Sequence, residues 1–258
     1  MDSGDTLMFG LWRSSTHVRT LIVIAIFVSV LLWQSASGQN RDDEPSFSAH
    51  AITIYSGKQV KSPDKKSEVH IEPLRARLSD SPGDFPALLV VDTDGGRLTA
   101  TFGFALDAEL IWSPDSNAFS LTGSVRGANG QYRTDVFLIQ SGKLVSIHLT
   151  DIIEKKFGHP VKCGWPEPPN VAAIKWLAPS SQLLVAAEIM HHSNCDSFGT
   201  FKGYVVDLSE PRITEVYNQL QAKRLFRGDL GGELLQADDN CIRDPKSCRV
   251  AFNSLRTT

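Results

Sequence analysis

Ile111-Trp112-Ser113-Pro114-Asp115-Ser116-Asn117-Ala118-Phe119-Ser120-Leu121 reads as a strand, a tight turn and a returning strand. Proline presets φ at the second turn position, and the short Asp side chain bonds nearby backbone. The pattern recurs on both sides. Val60-Lys61-Ser62-Pro63-Asp64 leads to Glu68-Val69-His70-Ile71, and Lys175-Trp176-Leu177-Ala178-Pro179-Ser180 leads to Leu183-Leu184-Val185-Ala186. A recurring supersecondary unit says more about architecture than any single motif.

Outward from these turns, short runs of Val, Ile, Phe, Tyr and Thr alternate with Gly, Pro, Asp and Ser clusters, the pattern of successive strands. It predicts strands at Ala49–Tyr55, Glu68–Ile71, Ala87–Val91, Arg97–Phe102, Glu109–Trp112, Ala118–Gly123, Tyr132–Ile139, Leu144–Leu149, Val171–Trp176, Leu183–Ile189, Phe201–Leu208 and Arg212–Tyr217. Two short helices interrupt them. Asp151 with Glu154 makes a capping box, Ile152, Ile153 and Phe157 share a face, and Gly158 and Pro160 stop the helix. Asn218 with Gln221 starts the second, in which Ala222, Leu225 and Phe226 form the apolar stripe and Gly228 ends it.

In wording, W-S-P-D-S-N-A-F from Trp112 to Phe119 resembles the strand-turn-strand unit of WD-type propellers and of the periplasmic Tol-system propeller. The likeness covers about ten residues in each of three places; the first copy lacks the Trp, and the third has an inserted residue and no Asp. It implies an all-β, antiparallel, β-propeller-like fold, small or incomplete. The turn prolines Pro63, Pro114 and Pro179 stand 51 and 65 positions apart, more than the roughly 40 to 45 of a common blade, so loops and helices are inserted. The segment from Gly199 to the C-I-R-D-P-K-S-C tail also looks like secreted bacterial proteins that carry such blades, a likeness that implies no activity.

The compartment is read from Leu21–Trp33, LIVIAIFVSVLLW, thirteen uncharged residues preceded by Arg13, His17 and Arg19. As a helix this run spans roughly 20 Å, short of the ~30 Å hydrocarbon core and suited to a signal-peptide h-region. Ala36-Ser37-Gly38 places cleavage before Gln39, and a start at Met8 would remove the unfavourable Asp2 and Asp5. The other reading is an uncleaved anchor using Thr20 to Asn40. Residues 1–38 are thus signal peptide or anchor, 39–46 a flexible stub, and 47–258 a single domain with a stapled tail, periplasmic or secreted.

The 258 residues carry 26 Lys+Arg against 29 Asp+Glu and are 41% hydrophobic, a globular composition that excludes wholesale disorder, collagen and a polytopic membrane protein. The absence of a basic excess argues against a dedicated nucleic-acid binder. Cys163, Cys195, Cys241 and Cys248 form an even set in an oxidising compartment, and disulfides are expected. Three connectivities are open; Cys163–Cys195 and Cys241–Cys248 are favoured, the latter for its intervening proline turn. Zinc held by His159, Cys163, His191 or His192, and Cys195 has suitable ligand types. Export favours oxidising those thiols instead, so neither a metal nor a cofactor is expected.

The contiguous motifs of nucleotide, zincin and α/β-hydrolase chemistry are missing. Asp92-Thr93-Asp94-Gly95-Gly96 resembles the start of a calcium loop, but Gly103 stands where the bidentate Glu belongs, so a D-G hairpin of type I′ is expected. Lys58, Lys61, Lys65 and Lys66 interleave with Asp64, Glu68 and Glu72 and read as a solvated strand face. His148 reads as outward-facing rather than as a base. Glu188 and Asp207 would form an acid–base pair only if their strands bring them together. The polar loop His191-His192-Ser193-Asn194-Cys195-Asp196 follows a strong strand and offers His191, His192 and Asn194 for recognition. The expected function is a non-enzymatic binding or scaffold module for a protein, peptide or glycan of the envelope, touching membrane only through an uncleaved N-terminus. The alternative is a periplasmic or secreted hydrolase with a non-contiguous acid/base site.

Overall fold

A computed structural model of the chain describes residues 46–73, 87–103, 107–124, 130–157, 168–178, 180–189, 199–237 and 239. Its strands are β1 (Ile52–Tyr55), β2 (Gln59–Lys61), β3 (Ser67–Pro73), β4 (Ala87–Thr93), β5 (Gly96–Phe102), β6 (Asp107–Trp112), β7 (Ala118–Ser124), β8 (Tyr132–Gln140), β9 (Lys143–His148), β10 (Asn170–Leu177), β11 (Gln182–Glu188), β12 (Phe201–Asp207) and β13 (Arg212–Asn218). Its helices are α1 (Leu149–Phe157), α2 (Gln219–Phe226) and α3 (Gly232–Gln236). The protein is therefore mostly antiparallel β with short helices. All twelve expected strands are present. The additional β2 buries only Val60 among its three residues, too little alternation to register as a strand.

The strands form three antiparallel meanders in chain order: β2-β3-β4-β5, β6-β7-β8-β9 and β10-β11-β12-β13, with β1 added beside β6. Among the described residues no sheet closes on itself. Alternation gives the middle sheet two apolar faces. Leu110, Phe119, Leu121 and Phe137 pack with Val69, Ile71, Leu89 and Val91 of the first sheet, while Ile111, Ala118 and Val136 pack with Val171, Val185, Tyr204 and Val206 of the third. The third sheet's other face packs Ala172, Ile174, Leu184 and Val205 with Ala222 of α2, Leu234 of α3 and Phe47.

The turns explain the repeat. Ser62 and Ser113 each donate a hydroxyl to the Asp two residues on, at 2.7 and 2.6 Å, and each accepts the returning strand's amide, from Ser67 and Ala118, at 3.0 Å. Lys65 and Ser116 occupy the left-handed region in both. The third turn, 178–181, has no Ser at the first of these positions, where Leu177 stands opposite Gln182.

The Asp94-Gly95 hairpin has its two-residue loop, yet it is not type I′: the positive φ falls on Gly96, and Thr93 Oγ1 braces the turn by accepting from Gly95 N and donating to Gly96 O. Ser141 and Gly142, both at positive φ, make the type I′ turn instead. α1 starts at Leu149, so Asp151 lies in its first turn rather than at the cap. The Thr150 hydroxyl there accepts Thr134 N. The Asn218–Gln221 capping box is formed as expected, but Leu225 is 53% exposed and outside the stripe. The predicted strand at 49–51 is broken because Ser48 Oγ accepts His50 N and turns the chain.

Candidate functional site

Alternating strand direction sorts the connections by end. At one end lie turns of two to five residues: 62–66, 94–95, 113–117, 141–142, 178–181 and 208–211. The strands joined by every longer connection, 74–86, 125–131, 149–169 and 189–200, meet those connections at the other end, as do the strands joined by the short 56–58 and 103–106. The three sheets share this polarity. Asp64 N donates to Ser116 Oγ across the turn ends of the first two. The Trp176 indole donates to Ile111 O near the turn ends of the second and third, and Tyr132 N donates to Asn170 Oδ1 at their loop ends.

Hydroxyls fix the third sheet on the second. β10 is an edge strand whose outer main-chain groups need partners. Thr122 Oγ1 accepts Ala173 N at 3.0 Å, Thr134 Oγ1 donates to Val171 O at 2.8 Å, and the two hydroxyls meet at 2.9 Å. The loop end of β10 is thereby held in place against the middle sheet.

There, Asn170, Glu188 and Phe201 form a cross-strand row on the face that the helices cover. Glu188 is 1% exposed. Gln219, the first residue of α2, extends the row by accepting Phe201 N and donating to Asp239. The loop after β11 is pinned at its base, where Ile189 N donates to Thr200 O and Gly199 N to Ile189 O at 2.7 Å. His191, His192, Asn194 and Cys195 belong to that loop and lie outside the described residues, as do Cys163, Cys241, Cys248 and His159. Since Asn170 faces Glu188 across the ladder, the segments carrying Cys163 and Cys195 join the sheet at neighbouring positions.

Nearby, Arg133 pairs with Asp151 at 3.0 Å, Gln131 donates to Glu154 and to Pro169 O, and the Lys202 ammonium lies 5.3 Å from the Phe157 ring centre. His148 is outward-facing, its side chain 63% exposed, with Nδ1 2.8 Å from Asp135 Oδ1. Burial pushes the Asp135 carboxyl up, and the bond to His148 pulls the other way. Sequence reasoning passed over Asp135 because its partner lies thirteen positions away.

The buried Glu109 of β6 also escapes a reading of the sequence. It takes an inward position of β6 where Ile111 suggests an apolar slot, and it accepts the amides of Ser46 and Phe47. Burial is the main cause that pushes its carboxyl up to about 7, with Glu233 adding to it and the amides opposing.

Other candidates separate. Glu188 stands opposite Phe201 and Asp207 opposite Gln182, at the two ends of one hairpin, so they form no acid–base pair. Asp92 is bound by Arg97 at 2.9 Å, and Lys61 lies 3.9 Å from Glu68. Among the described residues no three His, Cys, Asp or Glu side chains are placed to hold a metal, and no helix is long and apolar enough to cross a membrane. What the described loop end offers is a buried carboxylate, amides and exposed ion pairs. No protein-family model and no curated protein matches this chain.

Proposed function

We propose that the protein is an exported, non-enzymatic binding or scaffold module, a propeller-like stack of three blades that grips an envelope protein, peptide or glycan with its loop end. One observation carries this reading: every connection longer than five residues leaves the same end of the three sheets. A rigid scaffold that gathers its variable loops at one end is a common basis for recognition. His191, His192 and Asn194 supply polar groups in the loop that joins β11 to β12. The Cys163–Cys195 disulfide would tie that loop to the segment entering β10, and Cys241–Cys248 would close the tail.

The test is affinity capture from envelope extracts with the wild type and with H191A/H192A. The double variant is expected to lose partner recovery while its stability changes by under ~0.5 kcal/mol, as for exposed substitutions. Identical recovery by both proteins would remove this loop from the reading. Turnover of a glycan or peptide by the purified wild type would replace the binding module with the hydrolase.

A further inference from the structure

The segment Ser46–Ala51 is bound along both sides. On one, Gly231 N donates to Phe47 O at 2.7 Å, Glu233 N to Ser46 O at 3.0 Å and Ala49 N to Asp229 O at 3.0 Å. Gly231 is required by proximity, since a Cβ there would stand 2.5 Å from Ser46 O. On the other, Ser46 and Phe47 give their amides to Glu109 Oε1, and the Ser48 hydroxyl donates to Ile174 O. Phe47 is buried with Leu230 and Leu234 and meets Tyr132 edge-on at 4.9 Å.

Glu109 is 8% exposed, and among the described residues its Oε2 has no hydrogen-bond partner. Among the described residues, the titratable groups of this site are Glu233 from α3, which acts on Glu109, and Tyr132 from β8, on which Glu109, Glu233 and Asp107 of β6 all act. The cations of this region, Lys175 and His50, pair with Asp229 at the other end of the strap, at 2.9 and 2.7 Å. A carboxylate in this slot therefore has acids for neighbours and strap amides for donors.

We propose that Ser46–Ala51 is a proton-operated latch: protonated Glu109 keeps the strap docked, and ionisation favours its release, which hydrates the carboxylate and uncovers the Phe47 socket beside Tyr132. With the strap docked, burial pushes the carboxyl up to about 7 from the ordinary 4.5, and hydration on release would return it toward that ordinary value. The docked state holds the proton more tightly. Docking is therefore strongest below the ordinary value, weakens as pH rises, and reaches its floor above about 7. The inference does not depend on what the loop end binds.

Hydrogen exchange of the full chain, corrected for the intrinsic rate, tests it. Protection of the Ser46 and Phe47 amides is expected to fall by up to about a hundredfold between about pH 5 and 8, while the β11 amides keep theirs. E109Q, neutral and still able to accept both amides, should hold strap protection constant over that range. E233Q removes the neighbouring charge and should reduce the fall in an otherwise wild-type strap. Protection independent of pH in the wild type would overturn the latch. So would an undiminished fall in E109Q or, if that variant does not fold, in E233Q.

Discussion

Asp64 gives its backbone amide to the hydroxyl of Ser116 at 3.1 Å, so the opening turns of the first two sheets touch. Each turn is braced internally by the same Ser–Asp pair. The recurring S-P-D wording is thus a local folding device that also sets how neighbouring sheets meet.

Ser113→Ala tests the brace. The hydroxyl is fully buried, donates to Asp115 and accepts Ala118 N, so its loss should cost about 1–3 kcal/mol in urea unfolding. A pH signature should weaken with it. Burial opposes the Asp115 charge, but the bonds from Ser113 and Asn117 outweigh it and hold the carboxyl below its usual range. Its contribution is present above the unfolded value of 3.8 and lost as pH falls through the lower folded value. Acid unfolding of S113A should be less steep than that of the wild type.

Thr134→Val tests the seam between the second and third sheets. The change preserves shape but leaves Val171 O without its hydroxyl donor and Thr122 with only the Ala173 amide, at a cost of about 1–3 kcal/mol. Adding Thr122→Val should cost less than the two single changes together, because the hydroxyls share one network. Additive losses in urea unfolding would show that the two threonines act separately.

The ladders of this fold are legible in sequence because hairpin partners lie close together and each strand alternates over a Gly, Pro or Asp turn. What escapes is set by distant partners. Glu109 looks like one misplaced charge in D-A-E-L-I-W, since its donors lie 62 and 63 positions away. α3 has no side-chain cap to announce it, only Gly231, whose role is contact with Ser46. The polarity of the loops, in contrast, follows from strand order once the sheets are known to be aligned, an alignment held by packing and by bonds between residues far apart in sequence, such as Tyr132 to Asn170.

The mature chain is expected to begin at Gln39 and to carry Cys241–Cys248 and Cys163–Cys195 disulfides. Loop closure assigns the two bridges about 2.5 and 3.7 kcal/mol respectively. N-terminal sequencing of envelope protein and mass mapping without reduction check both points. An intact N-terminus in the membrane fraction would mean an anchor, and four free thiols with stoichiometric zinc would mean the metal site.

Gly199→Ala separates loop positioning from loop chemistry. Gly199 sits at φ +72, where a Cβ is disfavoured, and its amide closes the base of the 190–198 loop onto Ile189. Alanine there should cost about 1–2 kcal/mol if the left-handed conformation is kept. Relaxing φ instead breaks the 2.7 Å bond and frees the base. Either way His191 and His192 stay in the chain while their presentation changes. Partner recovery should therefore fall in G199A with both histidines intact, and H191A/H192A on the unaltered base should lose recovery without losing stability. A G199A protein that is destabilised yet captures its partner undiminished would place recognition on another of the long connections.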